Sequence, residues 1–176
     1  MLKYIPDMID LGIDSFKIEG RTKSLYYVSA VAKTYRQVID GKLDTNIAFE
    51  ELKKVGNRGY TEGFFFDNND YTTYSYDISK GLAGSDFLGI CQKQNEDNDF
   101  EFLIKNKILL NDEIEIITPN YSTLAKVNKI THIKKGEVDV ANTNDEINLE
   151  LISDNDDWKK EAGFALIRTK GMKEFN

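Results

Sequence analysis

The sequence is poor in the side chains that most often carry metal or nucleophilic chemistry. Its 176 residues include one cysteine, Cys91, and one histidine, His132. A single thiol forms no internal disulfide, and no set of cysteines and histidines has metal-ligand spacing. Cys91 follows apolar residues, which predicts a buried and unreactive thiol. His132 stands among lysines in a predicted strand, which favours a surface or edge position over the role of catalytic base.

Long apolar runs and a basic excess are also missing. No apolar stretch approaches the roughly 20 residues that span a bilayer, and the charged residues after Met1 argue against a cleavable signal. We therefore expect no membrane partner and a cytoplasmic location. Residues 1–66 carry 10 Lys+Arg and 9 Asp+Glu, whereas residues 67–176 carry 13 and 21. The acidic second part is a poor candidate for binding nucleic acid on its own.

Residues 13–24 form the most informative pattern that is present. They read as a short strand that ends in a charged turn and leads directly into a helix. Lys17 and Glu19 share one face of this strand, and Arg21 and Lys23 follow at its carboxyl end. Ligands of α/β folds bind at that end of the strands, and charges there are costly unless they face a polar cavity or a ligand. The alternative is a structural ion pair of Glu19 with Arg21 or Lys17, and the pattern alone leaves both open.

The residues of this turn predict a site for an anionic group rather than a catalytic centre. Arg21 offers a planar guanidinium for a carboxylate or phosphate, and Lys17 and Lys23 add charge. Glu19, surrounded by cations, suits the orientation of a ligand. Arg58 can reach the same place, although its simpler role is to hold a tight turn by hydrogen bonds to carbonyls. We predict these five residues as substrate-binding, with no catalytic constellation and no metal site in the chain.

Residues 1–66 read as part of a larger α/β barrel. Apolar residues at helical spacing predict a helix that ends at Gly12, a second helix over residues 24–40 capped by Thr22 or Ser24, and a short third over 46–55. The helix–strand–helix piece cannot close a parallel sheet alone, because its strand needs neighbours on both sides. Residues 67–84 read as an irregular connector.

Residues 85–176 have the texture of a small antiparallel β-barrel, which makes the chain α+β. Short runs of period two are separated by polar turns. The predicted strands are residues 87–93, 100–104, 113–118, 125–133, 147–152 and 165–168. An acidic run beside Trp158 predicts a solvated loop with the indole folded over the edge of the barrel.

Three stretches resemble signatures of a known family. Residues 14–28 read D-S-F-K-I-E-G-R-T-K-S-L-Y-Y-V, residues 57–64 read N-R-G-Y-T-E-G-F, and residues 111–116 read N-D-E-I-E-I. In this order they resemble motifs of peptidase family U32, the collagenase-like proteases. The resemblance implies a TIM-like catalytic barrel ahead of this region and a compact β-barrel, like those of translation factors, after it.

The resemblance also implies a function. Several family members hydroxylate a base in tRNA or ribosomal RNA, others hydroxylate a quinone precursor, and the older label is protease. A set of cysteines in the N-terminal barrel of these relatives is expected to bind an iron–sulfur cluster, which Cys91 cannot replace. We therefore expect the C-terminal part of a tRNA hydroxylation protein that is inactive alone.

Two alternatives stay open: a fragment of a collagenase-like protease and a non-enzymatic protein-binding module. The expected partners are tRNA or another RNA through the full-length protein, or a protein substrate. A homodimer through the open strand edge at Phe16 is a further expectation.

Overall fold

The chain folds into two compact units. A computed structural model describes residues 1–56, 60, 84–95 and 99–170. Described residues up to Gly84 belong to the first unit and those from Ser85 to Lys170 belong to the second. The predicted connector 67–84 lies outside the described residues except for Gly84, and so does Arg58.

The first unit is helical where the structure describes it. A 3₁₀ turn (Leu2–Tyr4) leads into α1 (Ile5–Asp10), followed by α2 (Leu25–Ile39) and α3 (Thr45–Lys53). The three predicted helices are therefore confirmed. Ser24, rather than Thr22, caps α2, because its Oγ accepts the N–H of Tyr27 at 3.2 Å. Asp44 caps α3 in the same way through the N–H of Asn46 at 2.8 Å.

The strand predicted around Phe16 is wrong. Residues 13–20 have no regular secondary structure, and no strand occurs among the described residues of the first unit. A strand exists only through hydrogen bonds to a neighbour, so an alternating sequence without a partner stays irregular. Only Phe16 of the predicted apolar face packs inward, whereas Ile18 is 38% exposed. Phe16 contacts the core formed by Leu2, Ile5, Val31, Val38, Ala48 and Leu52.

The second unit is a closed β-barrel. Its strands are β1 (Phe87–Gln94), β2 (Asp99–Ile104), β3 (Ile108–Leu109), β4 (Glu113–Ile117), β5 (Ser122–His132), β6 (Gly136–Glu137), β7 (Val140–Ala141), β8 (Glu146–Ser153) and β9 (Leu166–Thr169). The order β4-β9-β1-β2-β8-β5 is closed by the pairing of β5 with β4, and every ladder is antiparallel. All six predicted strands are confirmed, and the fold is α+β as expected.

Alternating side chains fill the barrel. In β2 every second residue is buried, and Phe100, Phe102 and Ile104 are fully inaccessible. Trp158 corrects the sequence prediction: it is 0% exposed and packs on Phe100 with ring centroids 4.6 Å apart. It lies in a 3₁₀ segment (Asp157–Phe164), whose winding directs the indole inward and leaves the acidic neighbours in water.

Candidate functional site

A cavity of the first unit adjoins the charged segment. Its volume is about 460 Å³, within the range of small-ligand sites. Lys17 and Glu19 line one part of it together with Phe16, and Tyr27, Val31 and Tyr35 of α2 line another. Two of the predicted site residues, Lys17 and Glu19, therefore border a cavity, whereas Arg21 and Lys23 are not part of its lining.

The turn after this segment is held by the Glu19 carboxylate. Its Oε1 accepts the backbone N–H of Arg21 at 3.0 Å, and the carbonyl of Gly20 accepts the N–H of Lys23 at 3.0 Å. A Cβ at Gly20 would lie 2.7 Å from Cγ2 of Val28, a β-branched side chain with little freedom to move in a helix. The glycine therefore lets the turn approach α2 closely.

The cations of the turn are exposed and uncompensated. Within the part of the chain that the structure describes, Lys17, Arg21 and Lys23 take part in no ion pair. The alternative prediction was an ion pair of Glu19 with Arg21 or Lys17. Glu19 does fix the turn, but through the backbone N–H of Arg21, and the guanidinium of Arg21 stays in solvent. Lys23 places its Nζ 5.2 Å from the centre of the Tyr27 ring.

The aromatic wall of the cavity was missed in the sequence. Tyr27, Val31 and Tyr35 follow one another at four-residue steps, so they share one face of α2. Burial raises the pKa of the Tyr35 phenol above its ordinary value of 10.0, and the charge of Tyr27 adds to this rise. The spacing is the signal that could have revealed this wall, but it is also the spacing of an ordinary core stripe.

The described residues do not fit a metal or a cluster. They contain no group of three or more Cys, His, Asp or Glu side chains placed to hold a metal ion. The single cysteine is buried, and that burial raises the pKa of its thiol to about 11. An iron–sulfur cluster needs several thiolates, so this chain does not supply its ligands. No described helix is long and apolar enough to cross a membrane.

The architecture first defines the class of protein, a chain of two units. A helical unit carries a charged turn beside a cavity, and a closed six-stranded barrel follows it. The family model "Peptidase family U32" matches residues 1–75, and "Peptidase family U32 C-terminal domain" matches residues 83–161. The chain belongs to peptidase family U32.

Relatives of this chain carry two kinds of name. It is 37% identical over 150 residues to the tRNA hydroxylation protein P of Haemophilus influenzae, covering 80% of this chain and 32% of that protein. It is 25% identical over 150 residues to a collagenase of Porphyromonas gingivalis, covering 76% of this chain and 34% of the collagenase. The chain thus spans about a third of the length of these curated relatives.

A solved structure is also similar. The crystal structure of the C-terminal domain of a U32-family protein from Geobacillus thermoleovorans matches with a TM-score of 0.40 and 17% identity. The match covers 48% of this chain and 99% of that domain.

Proposed function

We propose that this chain is the substrate-contacting C-terminal region of a tRNA hydroxylation protein. One observation carries the proposal: Lys17 lines a cavity of about 460 Å³, Arg21 and Lys23 follow it in an exposed turn, and none of the three has an ion-pair partner among the described residues. Relatives named tRNA hydroxylation proteins support the choice of tRNA as the anionic ligand. Arg58 belongs to the same site in this proposal and stays a prediction from sequence.

The residues of the turn are suited to binding and orientation. Arg21 can hold a phosphate through two parallel N–H groups, while Lys17 acts as a point charge at the cavity. Glu19 keeps the turn in shape, since its carboxylate is bonded to the backbone. The β-barrel acts as an accessory domain for substrate or partner binding.

Oxidation of a base is assigned to another part of the full-length protein. One cysteine cannot ligate an iron–sulfur cluster, so we place the expected cluster outside this chain and expect no hydroxylation by the chain alone. A tRNA substrate also favours a cytoplasmic location. The homodimer through the segment at Phe16 stays a prediction.

A collagenase-like protease is the second candidate, supported by the relative of that name. The side chains of this chain argue against a protease. Cys91 is buried and its thiol is protonated, and Nδ1 of His132 accepts the N–H of Lys134 at 3.0 Å. Neither side chain is offered to a substrate as nucleophile or base. Release of soluble peptides from gelatin by the purified chain would support this candidate against the first.

The third candidate function is a non-enzymatic protein-binding module that acts through the barrel.

Fluorescence anisotropy with a labelled tRNA transcript tests the first proposal. We expect the variant Lys17→Ala/Arg21→Ala to bind about tenfold more weakly and with a reduced salt dependence, because phosphate contacts are lost. The matched control is Arg36→Ala/Lys42→Ala, which removes one arginine and one lysine from exposed positions outside the cavity lining. Equal losses in both variants would show a diffuse charge effect and refute the site.

A further inference from the structure

The ammonium group of Lys23 lies over an aromatic ring. Its Nζ is 5.2 Å from the centre of the Tyr27 ring, within the range of an attractive contact between a cation and a π-system. Lys23 directly precedes Ser24, the cap of α2, and Tyr27 lies in the first turn of this helix. Lys23 thus has an aromatic neighbour that limits where its ammonium group can lie.

The Tyr27 ring is itself held in place. The backbone N–H of Tyr27 donates to Ser24 Oγ at 3.2 Å, which fixes the residue at the start of α2. Its side chain is partly buried, packs against the apolar core of the first unit and lines the cavity together with Lys17. A packed ring cannot follow a flexible lysine, so the position of the ring decides the position of the ammonium group.

The backbone of the turn leaves only the lysine side chain to be ordered. Glu19 Oε1 accepts the N–H of Arg21, and the carbonyl of Gly20 accepts the N–H of Lys23, each at 3.0 Å. A lysine carries its charge on a flexible four-carbon stem, which loses conformational freedom when it binds an anion. A contact that orders the stem beforehand reduces this loss.

We infer that Tyr27 is a positioning residue of the charged turn: its ring holds the ammonium group of Lys23 where that group meets a phosphate of the ligand. This inference rests on the proposed function and deepens it, because it names the residue that places one of the cations. The ring contacts one side of the ammonium group, and a lysine has three N–H donors, so donors stay available for an anion. Tyr27 acts through Lys23 and does not bind the anion itself.

A double-mutant cycle on the full 176-residue chain tests this, with anisotropy of a labelled tRNA transcript as the measurement. We expect Lys23→Ala to weaken binding about three- to tenfold and to reduce the slope of log affinity against log salt by about one. Tyr27→Leu should weaken binding about two- to fivefold without changing this slope, because the phosphate contact is still made, but by an unordered lysine. In the Lys23→Ala background Tyr27→Leu should have no further effect.

The first unit offers a matched control. Lys3 places its Nζ 4.8 Å from the centre of the Tyr4 ring, and neither residue lines this cavity, so Tyr4→Leu should leave binding unchanged. Tyr27→Phe keeps the ring and should retain the affinity. Circular dichroism melting shows whether each variant is folded. If Tyr27→Leu melts early, Tyr27→Met takes its place in the cycle, because an unbranched side chain fills irregular gaps in a core.

Failure of this inference differs from failure of the proposed function. Full affinity of Tyr27→Leu, or an equal loss from it with and without Lys23, would overturn the positioning role. A loss from Lys17→Ala/Arg21→Ala but none from Lys23→Ala would do the same and leave the rest of the charged site intact. Binding that is unchanged by all these lysine and arginine variants would overturn the proposed function itself.

Discussion

Arg168 and Glu115 form a buried ion pair on the outer face of the barrel. They are register partners on β9 and β4, and the guanidinium donates from Nε and Nη2 to the two carboxylate oxygens, each at 2.9 Å. Their strand neighbours Ile116 and Ile167 point into the barrel core, so the pair points outward. Even so, Arg168 is 1% and Glu115 is 8% exposed. The two charges therefore compensate each other in a dry environment.

Breaking this pair should destabilise the barrel strongly. We expect Glu115→Gln or Arg168→Met to lower the free energy of unfolding by about 3 kcal/mol, because each variant removes the two charge-assisted hydrogen bonds of a buried ion pair. The combined variant should lose less than the sum of the single losses. Urea unfolding followed by emission of Trp158, the single tryptophan, measures this in the barrel itself.

An exposed pair between the same two edges is the control. Lys170 contacts Glu113 at 2.6 Å, with 47% and 64% of the side chains exposed. The bond to Lys170 lowers the pKa of Glu113, but both groups are in water, so Lys170→Met should leave the unfolding midpoint unchanged. If the exposed and buried variants lose equal stability, the argument from desolvation is wrong.

The helices of the first unit depend on their caps more than on length. α3 has nine residues, too few for a stable helix in isolation. The Oδ1 atom of Asp44 accepts the N–H groups of Asn46 and Ile47, at 2.8 and 3.4 Å. We expect Asp44→Ala to cost about 1 kcal/mol and Asp44→Asn to restore most of it. Thermal melting followed by circular dichroism checks this, with Asp10→Ala at the last position of α1 as the control that should change little.

Elements with strong periodicity could be predicted from the sequence, and elements defined by pairing could not. The six long strands have four or more residues each, and β2 and β8 alternate along their whole length, whereas β3, β6 and β7 have two residues each and carry no period. Residues 13–20 alternate well but lack a partner strand. The position of the Trp158 indole was predicted wrongly because its acidic neighbours indicate solvent. In the structure the 3₁₀ segment separates the indole from them.

Part of the cavity lining could be predicted where charge breaks an apolar pattern. Lys17 and Glu19 interrupt an apolar, strand-like run. This interruption predicts a polar cavity, and both residues line one. Tyr27 and Tyr35 fit an amphipathic helix without conflict, so nothing in the sequence separated a cavity wall from a core stripe. A cavity wall and a core stripe differ in how deeply their side chains are buried. Only the packing of α2 against Phe16 and its neighbours decides that depth.

The barrel unit builds its core from its own residues. The barrel closes on itself and fills its own core with residues between Leu88 and Ile167. Large apolar side chains are exposed in both units, for example Leu11 at 83% and Phe164 at 73%.

This self-contained core predicts that the barrel folds without the first unit. A protein of residues 85–176 should unfold cooperatively in urea with the midpoint of the full chain, because every member of the core cluster around Trp158 is retained. Trp158 emission should keep the wavelength of a buried indole, since its partner Phe100 and its hydrogen bond to Ser153 Oγ at 3.1 Å stay in place. A red-shifted emission with a broad transition would show that the barrel needs the helical unit to fold.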